Sequence, residues 1–454
     1  MEKQVLPRRE HFGSTLGIIA AAAGSAIGLG NIWRFPFITG VNGGAAFIIV
    51  YLVCIALIGL PVMLSEFIIG RSAQKNVIAS FKTLAPGTPW YLVGWIGMAS
   101  AFMILAFYGV VAGWTLEYIL KAVANGFAGK SPNEIGALFG GFISSPMRPL
   151  FWQFVFMFLT GWIVYAGVIK GIERYSKILM PLLLILIIIL DIRALTLPGA
   201  SGGIAFLFKP DFSKLTALGF LSALGHAFFS LSLGMGVMIT YGSYINKTEN
   251  LGKTALQVTI ADTAIALMAG LAIFPAVFAF SIEPSAGPGL VFVTLPNVFL
   301  QMPGGYFFCI LFFVLLAIAA LTSAISILEV VVAYISENFN VARHKATIAI
   351  TIAITLLGIP CSLSMGVMGN VKFFGKTFFD LLDFTSSNIL LIAGGFFMTL
   401  FVAWFLGHTR AQREASSDGQ FPVTYFPWFM WAAKYLAPIA IFIVFLHGLG
   451  IIKV

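Results

Sequence analysis

The sequence predicts an all-α polytopic membrane protein with eleven transmembrane helices, and three observations carry that prediction. Hydrophobic residues make up 59% of the 454-residue chain and charged residues only 9%, where a soluble domain carries roughly a quarter. So few charges cannot cover a water-facing surface, and most of the exterior must meet lipid. The apolar residues also fall into long runs, and ~20 such residues cross a bilayer. Finally, Lys and Arg gather in the short connections on one side of those runs, the positive-inside pattern.

The runs lie at about 13–38, 43–70, 88–121, 150–168, 172–194, 215–242, 254–281, 304–336, 345–368, 376–406 and 424–452. Connections holding Arg8, Arg9, Arg71, Lys75, Lys82, Lys170, Arg174, Lys247, Arg343 and Arg410 alternate with others holding Lys121, Lys130, Arg148, Lys209 and Lys372. The first group is richer, which puts the N-terminus in the cytoplasm and, with an odd number of spans, Val454 outside. The apolar run after Arg9 reads as a span and not as a cleaved signal. The net charge of +9 is accounted for by this topology and implies no nucleic-acid partner. Cys54, Cys309 and Cys361 sit in or beside spans, with neither metal-type spacing nor a disulfide framework. No linker divides the chain, so it reads as one domain of residues 1–454. Residues 1–12 form a cytoplasmic segment. Gly407–Gln420 reads as a polar cytoplasmic loop, and the Gly- and Pro-rich stretch Lys121–Met147 as a loop folded over the outer face.

Two runs are interrupted by small residues in mid-span. The first contains Gly24-Ser25-Ala26-Ile27-Gly28-Leu29-Gly30, and the sixth Ser230-Leu231-Ser232-Leu233-Gly234-Met235-Gly236. They stand five spans apart, which points to an inverted repeat, 13–194 and 215–406, with 424–452 added. Backbone that leaves the helix inside a membrane must find other partners. Freed N–H groups suit a carboxylate and freed C=O groups suit a cation. Close helix packing of the small-xxx-small type is the competing reading.

Ionisable residues within spans are functional candidates. Asp262 could bind a hard cation directly, or could be an interfacial acid. Glu66 is expected to accept hydrogen bonds from the unwound part of the sixth span. Glu329 admits a structural or a functional role. Arg34 and Asp383 are plausible partners across an outer vestibule. Thr322 and Ser323 offer adjacent hydroxyls for an ion, with back-bonding to their own helix as the alternative. Tyr108 either lines a site or packs in the core, and His226 is expected to be a satisfied core histidine. Gly171 and Pro181 allow the start of the fifth span to unwind, or simply kink it. No phosphate-binding loop, metalloprotease motif or nucleophile elbow occurs, which argues against an enzyme and against ATP-driven transport.

At this point the string Gly24 to Pro36 (GSAIGLGNIWRFP) resembles the first-helix signature of the neurotransmitter:sodium symporters. Asn42-Gly43-Gly44, Phe228-Phe229-Ser230-Leu231-Ser232-Leu233-Gly234 and Leu321-Thr322-Ser323 fit the same family. The eleven-span form resembles its bacterial branch, and the likeness runs along essentially the whole chain. The rule linking paired interrupted helices to a midplane site was itself drawn in part from this family.

The resemblance implies a LeuT-like fold and sodium-coupled uptake of hydrophobic L-amino acids, aliphatic and aromatic, across a bacterial plasma membrane. It implies a substrate held by Ala26, Leu29, Gly30 and Ser230, with its side chain near Ile104, Tyr108, Phe229, Ser232, Met235, Ser323 and Ile327. A first sodium ion would bind Ala26, Asn31, Ser230 and Asp262, and a second Gly24, Ile27, Ala319, Thr322 and Ser323. Arg34 and Asp383 would form an outer gate and Arg9 and Glu337 an inner one, while Gly171 and Pro181 would open the inner route. A monomer or weak dimer in the bilayer is expected. Three positions depart from the family pattern. Asp262 stands where Asn is frequent, which implies independence of chloride. Met235 replaces a Phe of some members, and its flexible thioether suits side chains of several shapes. Glu337 replaces an Asp. A proton-coupled carrier of the same architecture and a substrate sensor are the alternatives.

Overall fold

The structure, a computed structural model, describes residues 10–280 and 289–452. A backbone without water must bond within its own segment, and the apolar runs accordingly form helices. Among the described residues eight are long and apolar enough to cross a membrane: Ala45–Ala73, Tyr91–Val123, Val168–Leu195, Leu251–Ala279, Gly305–Asn338, Arg343–Leu363, Phe378–Ala415 and Phe426–Gly448. Two bent pairs raise the number to ten, Thr15–Ala26 with Gly30–Val41 at 49° and Pro132–Ser144 with Arg148–Tyr165 at 72°. The interrupted sixth run, Ala217–Ser230 followed by Val237–Gly242, stands outside that count. Among the described residues no strand forms beyond one isolated bridge, Phe373 to Lys376.

Burial ranks the helices. In Tyr91–Val123 and Gly305–Asn338, which pack along each other, 72% of the apolar window is covered by protein, against 33% in Val168–Leu195. The first two are therefore central, and the third presents Ile185, Ile188 and Ile192 outward. Thr15–Ala26 packs against Gly305–Asn338, Leu251–Ala279 and Arg174–Leu195, which sets the first interruption in the middle of the bundle.

Both expected loops fold further than their composition suggested. Within Lys121–Met147, Ser131 and Glu134 form a capping box that starts the helix Pro132–Ser144. The polar stretch after Leu406 is helical over Gly407–Ala415, which corrects the loop expectation for Gly407–Gln420. It continues the helix of the preceding span, Phe378–Ala415, and its end is tied to Arg71, fully buried at the end of the second span. A buried guanidinium needs a counter-charge. Glu414 supplies it at 2.7 Å from Arg71 Nε, takes Lys247 Nζ at 2.7 Å, and accepts from Arg71 again through its backbone oxygen.

Candidate functional site

The first interruption is explained by where its amides go. In an uninterrupted helix the N–H of Gly28 would bond the carbonyl of Gly24, and the N–H of Asn31 that of Ile27. Instead Gly28 donates to Asn31 Oδ1 at 3.1 Å, Leu29 donates to the hydroxyl oxygen of Tyr108 at 3.3 Å, and Asn31 donates to Gly28 O at 3.2 Å. Ile27 takes an extended conformation (ψ 100°). The helix thus withdraws its own donors from the carbonyls of Gly24 and Ile27, leaving oxygen free in the interior.

The second interruption runs from Leu231 to Gly236. Ser232, Gly234 and Gly236 have φ of 54°, 81° and 78°. Ser232 is left-handed without being glycine, a conformation that persists only when its surroundings impose it. Its hydroxyl donates to Ser25 O at 2.9 Å, tying one break to the other. Gly234 lies against the backbone carbonyl of Leu391, where any side chain would collide. Its N–H donates to Glu66 Oε1 at 2.7 Å, the support expected of that carboxylate.

Between the breaks lies a buried polar cluster. Asn31 Nδ2 donates to Asp262 Oδ1 at 2.7 Å and to Ser230 Oγ at 3.1 Å, and Ser230 Oγ donates to Asp262 Oδ2 at 2.9 Å. Tyr51, absent from the sequence reading, donates to Ser230 at 3.3 Å. Asp262, Asn31 and Tyr51 are fully buried. The carboxylate's hydrogen-bond partners are neutral, and an ionised acid in that setting is costly without a cation. The donors are all oxygen-rich and hard, the kind that suits an alkali or alkaline-earth ion. Part of the second group, Gly24, Ala319 and Thr322, comes together. Thr322 Oγ1 donates to Ile318 O and Ala319 O, both at 3.1 Å, and Gly24 lies against the Thr322 side chain. The back-bonding alternative thus holds for Thr322 in this structure, at the position where Gly24 has lost its helix donor.

A narrow cavity of ≈ 20 Å³ adjoins these groups and is lined by Ala26, Gly28, Leu29, Gly30, Ile104, Tyr108, Phe229, Ser232, Met235, Ser323 and Ile327. Its apolar walls and few polar edges fit a small amphipathic molecule. All the expected substrate contacts line it except Ser230, which lies one residue from the Phe229 wall in the polar cluster. Gly28, not among the expected residues, is bare because Tyr108 and Ser323 crowd it. Beyond Phe229 and Tyr108 a second, larger cavity of ≈ 270 Å³ opens, lined by Trp33, Arg34, Phe37, Phe107, Val111, Phe379 and Asp383 among others. Among the described residues no ion pair joins Arg34 to Asp383. Arg34 stacks over Phe229 at 4.6 Å, and Asp383 accepts from Ser387 at 2.9 Å.

Three further candidates settle differently. Glu329 is a structural partner, 2.5 Å from Arg343 and accepting from Tyr244 at 2.6 Å. His226 is buried as expected but not satisfied. Among the described residues neither ring nitrogen finds a hydrogen-bond partner; the ring packs in an aromatic cluster, 5.9 Å from Phe35 and 5.4 Å from Tyr51, whose rings are themselves 5.0 Å apart. Glu337 accepts from the backbone and side-chain amides of Asn76, both at 3.0 Å, while Arg9 lies outside the described residues. Gly171 falls in the wide turn Val168–Glu173, and Pro181 inside the helix Arg174–Leu195.

Comparisons with known proteins agree with this geometry. The sodium:neurotransmitter symporter family matches over residues 9–134 and 145–453. An uncharacterized sodium-dependent transporter of Bacillus subtilis, YhdH, is 44% identical over 97% of this chain and 98% of its own. Another from Methanocaldococcus jannaschii is 33% identical over 95% and 88%. The crystal structure of MhsT in complex with L-phenylalanine superposes with a TM-score of 0.90 at 50% identity, covering 97% of this chain and all of that one. These relatives are transporters and not enzymes, and the fold is LeuT-like, all helical with the interrupted first helix at its centre. The chain is a sodium-dependent transporter and belongs to the sodium:neurotransmitter symporter family.

Proposed function

We propose that this chain couples sodium entry to the uptake of hydrophobic L-amino acids, aliphatic and aromatic, by alternating access and without chloride. The observation that carries the reading is Asp262, a buried carboxylate whose partners Asn31 and Ser230 are neutral. A sodium ion there, held also by the carbonyl of Ala26, gains the charge partner that the protein withholds. A substrate carboxylate in the adjoining cavity would add a further oxygen. A second ion takes the carbonyls of Gly24, Ile27 and Ala319 with the hydroxyls of Thr322 and Ser323. Chloride independence follows from Asp262, because the negative charge is already part of the protein. The bound L-phenylalanine of MhsT is consistent with an apolar substrate.

In this reading the chain is a monomer or weak dimer in a bacterial plasma membrane. It has eleven spans in two repeats, 13–194 and 215–406, followed by 424–452. Residues 10–14 lie on the cytoplasmic side and the vestibule of Arg34 and Asp383 opens outward, making those two an outer gate. Membrane potential adds ~2.3 kcal/mol per charge per 100 mV to the driving force. The test is uptake of labelled leucine, phenylalanine and tryptophan into proteoliposomes. Accumulation should follow an inward sodium gradient and survive replacement of chloride by gluconate. Uptake that ignores the sodium gradient, or stops without chloride, rejects the corresponding half of the proposal.

A further inference from the structure

The residues leading into the first span and the start of the helix Val168–Leu195 are joined by two carboxylates that the transport reading does not use. Glu10 Oε2 accepts from the N–H of Val168 at 2.6 Å, one of the amides that a helix start leaves without a carbonyl. Glu173 points the other way. Its carboxylate accepts from the N–H of Gly13 at 2.6 Å and the hydroxyl of Ser14 at 2.9 Å. Ser14 is in turn the N-cap of Thr15–Ala26, its oxygen taking the N–H of Gly17 at 3.1 Å. Glu173 is 2% exposed, and Lys177 one turn on supplies its counter-charge at 2.5 Å. Gly17 lacks a side chain where this carboxylate lies; a methyl group there would overlap it. Each segment therefore offers an acid to the free donors at the start of the other's helix.

Farther along the same seam, the Met180 side chain packs on Gly24, and Gly24 faces Thr322. The contact between Thr15–Ala26 and Val168–Leu195 thus separates these groups from the face bearing residues 10–14. Glu173 stands between Gly171 and Pro181, where the fifth span's helix is weakest.

We propose that Glu173 and Glu10 are positioning residues that latch the N-terminal half of the first span to the fifth, keeping the route from Gly24 and Thr322 to that face shut until both carboxylates release. What the latch guards rests on the proposed second sodium site, but its contacts do not. The test is alkylation of Met180→Cys in the purified full-length chain by a small thiol reagent, in sodium or in choline. The parent chain, whose three cysteines are buried, serves as the blank. Met180→Cys should react slowly and more slowly in sodium. Adding Glu173→Gln should speed the reaction about tenfold, the effect of losing one hydrogen bond to a charged group, and Glu10→Gln should speed it less. Equal rates with and without Glu173→Gln overturn the latch. Should Glu173→Gln fail to fold, Ser14→Ala removes one donor and leaves the acid paired with Lys177; faster alkylation supports the latch and an unchanged rate overturns it. Thr322→Ala separates the two ideas. If it abolishes sodium protection while Glu173→Gln changes nothing, the sodium site stands and the latch falls. If Glu173→Gln accelerates alkylation while Thr322→Ala keeps sodium protection, the latch stands and the ion assignment falls.

Discussion

The two ends of the bundle are built on opposite plans. At the end bearing residues 10–14, charged groups are met across elements: Arg343 by Glu329, Arg71 and Lys247 by Glu414, and Glu173 by the N–H of Gly13 and the hydroxyl of Ser14. Phe12 fits edge-on against Tyr241 and Tyr244, and its N–H donates to Tyr244 O at 3.1 Å. At the other end, Arg34 and Asp383 face one larger cavity without pairing, and Phe229 and Tyr108 stand between that cavity and the smaller one beneath it. One end is closed by specific bonds while the other is left open with its partners in waiting. In the alternating access proposed above, this asymmetric state has a converse, and the bonds of Glu173 to Gly13 and Ser14 are the ones proposed to break between the two.

The largest test of this comparison is Glu329→Gln. Removing one partner of a buried pair strands Arg343, which costs ~3–5 kcal/mol. Thermal unfolding of the purified protein should show a clear loss, while Asp383→Asn at the open end should move stability by no more than ~1 kcal/mol. Equal effects at the two ends would mean that the asymmetry is not energetic. Next in size is Asp262→Asn, which lies between the ends. It should weaken sodium binding about tenfold or more, as for the loss of a charged hydrogen-bond acceptor, or create a chloride requirement. Sodium titration of substrate binding, with chloride present and absent, reads either outcome; unchanged sodium dependence without a chloride effect removes Asp262 from the ion site. Thr322→Ala should cost less than Asp262→Asn in the same titration, because the carbonyls of Gly24, Ile27 and Ala319 are untouched by it. A larger loss from Thr322→Ala would reverse the order of the two proposed ion sites.

The residues that made this comparison possible were unequally legible. Small residues in mid-span betray an interruption because they fit no lipid-facing role, so Gly24–Gly30 and Ser230–Gly236 could be found from composition. Asp262 and Glu66 could be found because a carboxylate in an apolar run demands a reason. The bonds that close the first end left no such trace. Glu173 meets Gly13 and Ser14 across 160 and 159 positions, and Arg71 meets Glu414 across 343. Contacts so remote impose no periodicity on either segment. Tyr51 reads as one aromatic among many until Ser230 stands beside it, and Ser232, expected at the substrate, gives no sign in the sequence of the left-handed backbone that aims its hydroxyl at Ser25. Polarity also misjudged Gly407–Ala415, which continues the helix of the preceding span and bonds Arg71 of another through Glu414.

The smallest expected effect concerns the chemistry of the cavity and not its closure. Met235 is 2% exposed and lines the smaller cavity. Gly97 lies against its backbone, so Met235 has no room to retreat and a larger side chain must grow into the site. A thioether bends around ligands of different shape, whereas a phenyl ring holds one plane. Met235→Phe should therefore lower tryptophan binding relative to leucine by about tenfold, within the range for a bulk change in an apolar pocket, and leave sodium affinity and the closed end alone. Displacement of labelled leucine by unlabelled tryptophan measures the ratio. If it is unchanged, breadth of selectivity lies with Ile104, Phe229 and Ile327 instead. If sodium affinity falls with it, the cavity and the ion site are coupled through the backbone between Ser230 and Met235, the short segment that both of them share.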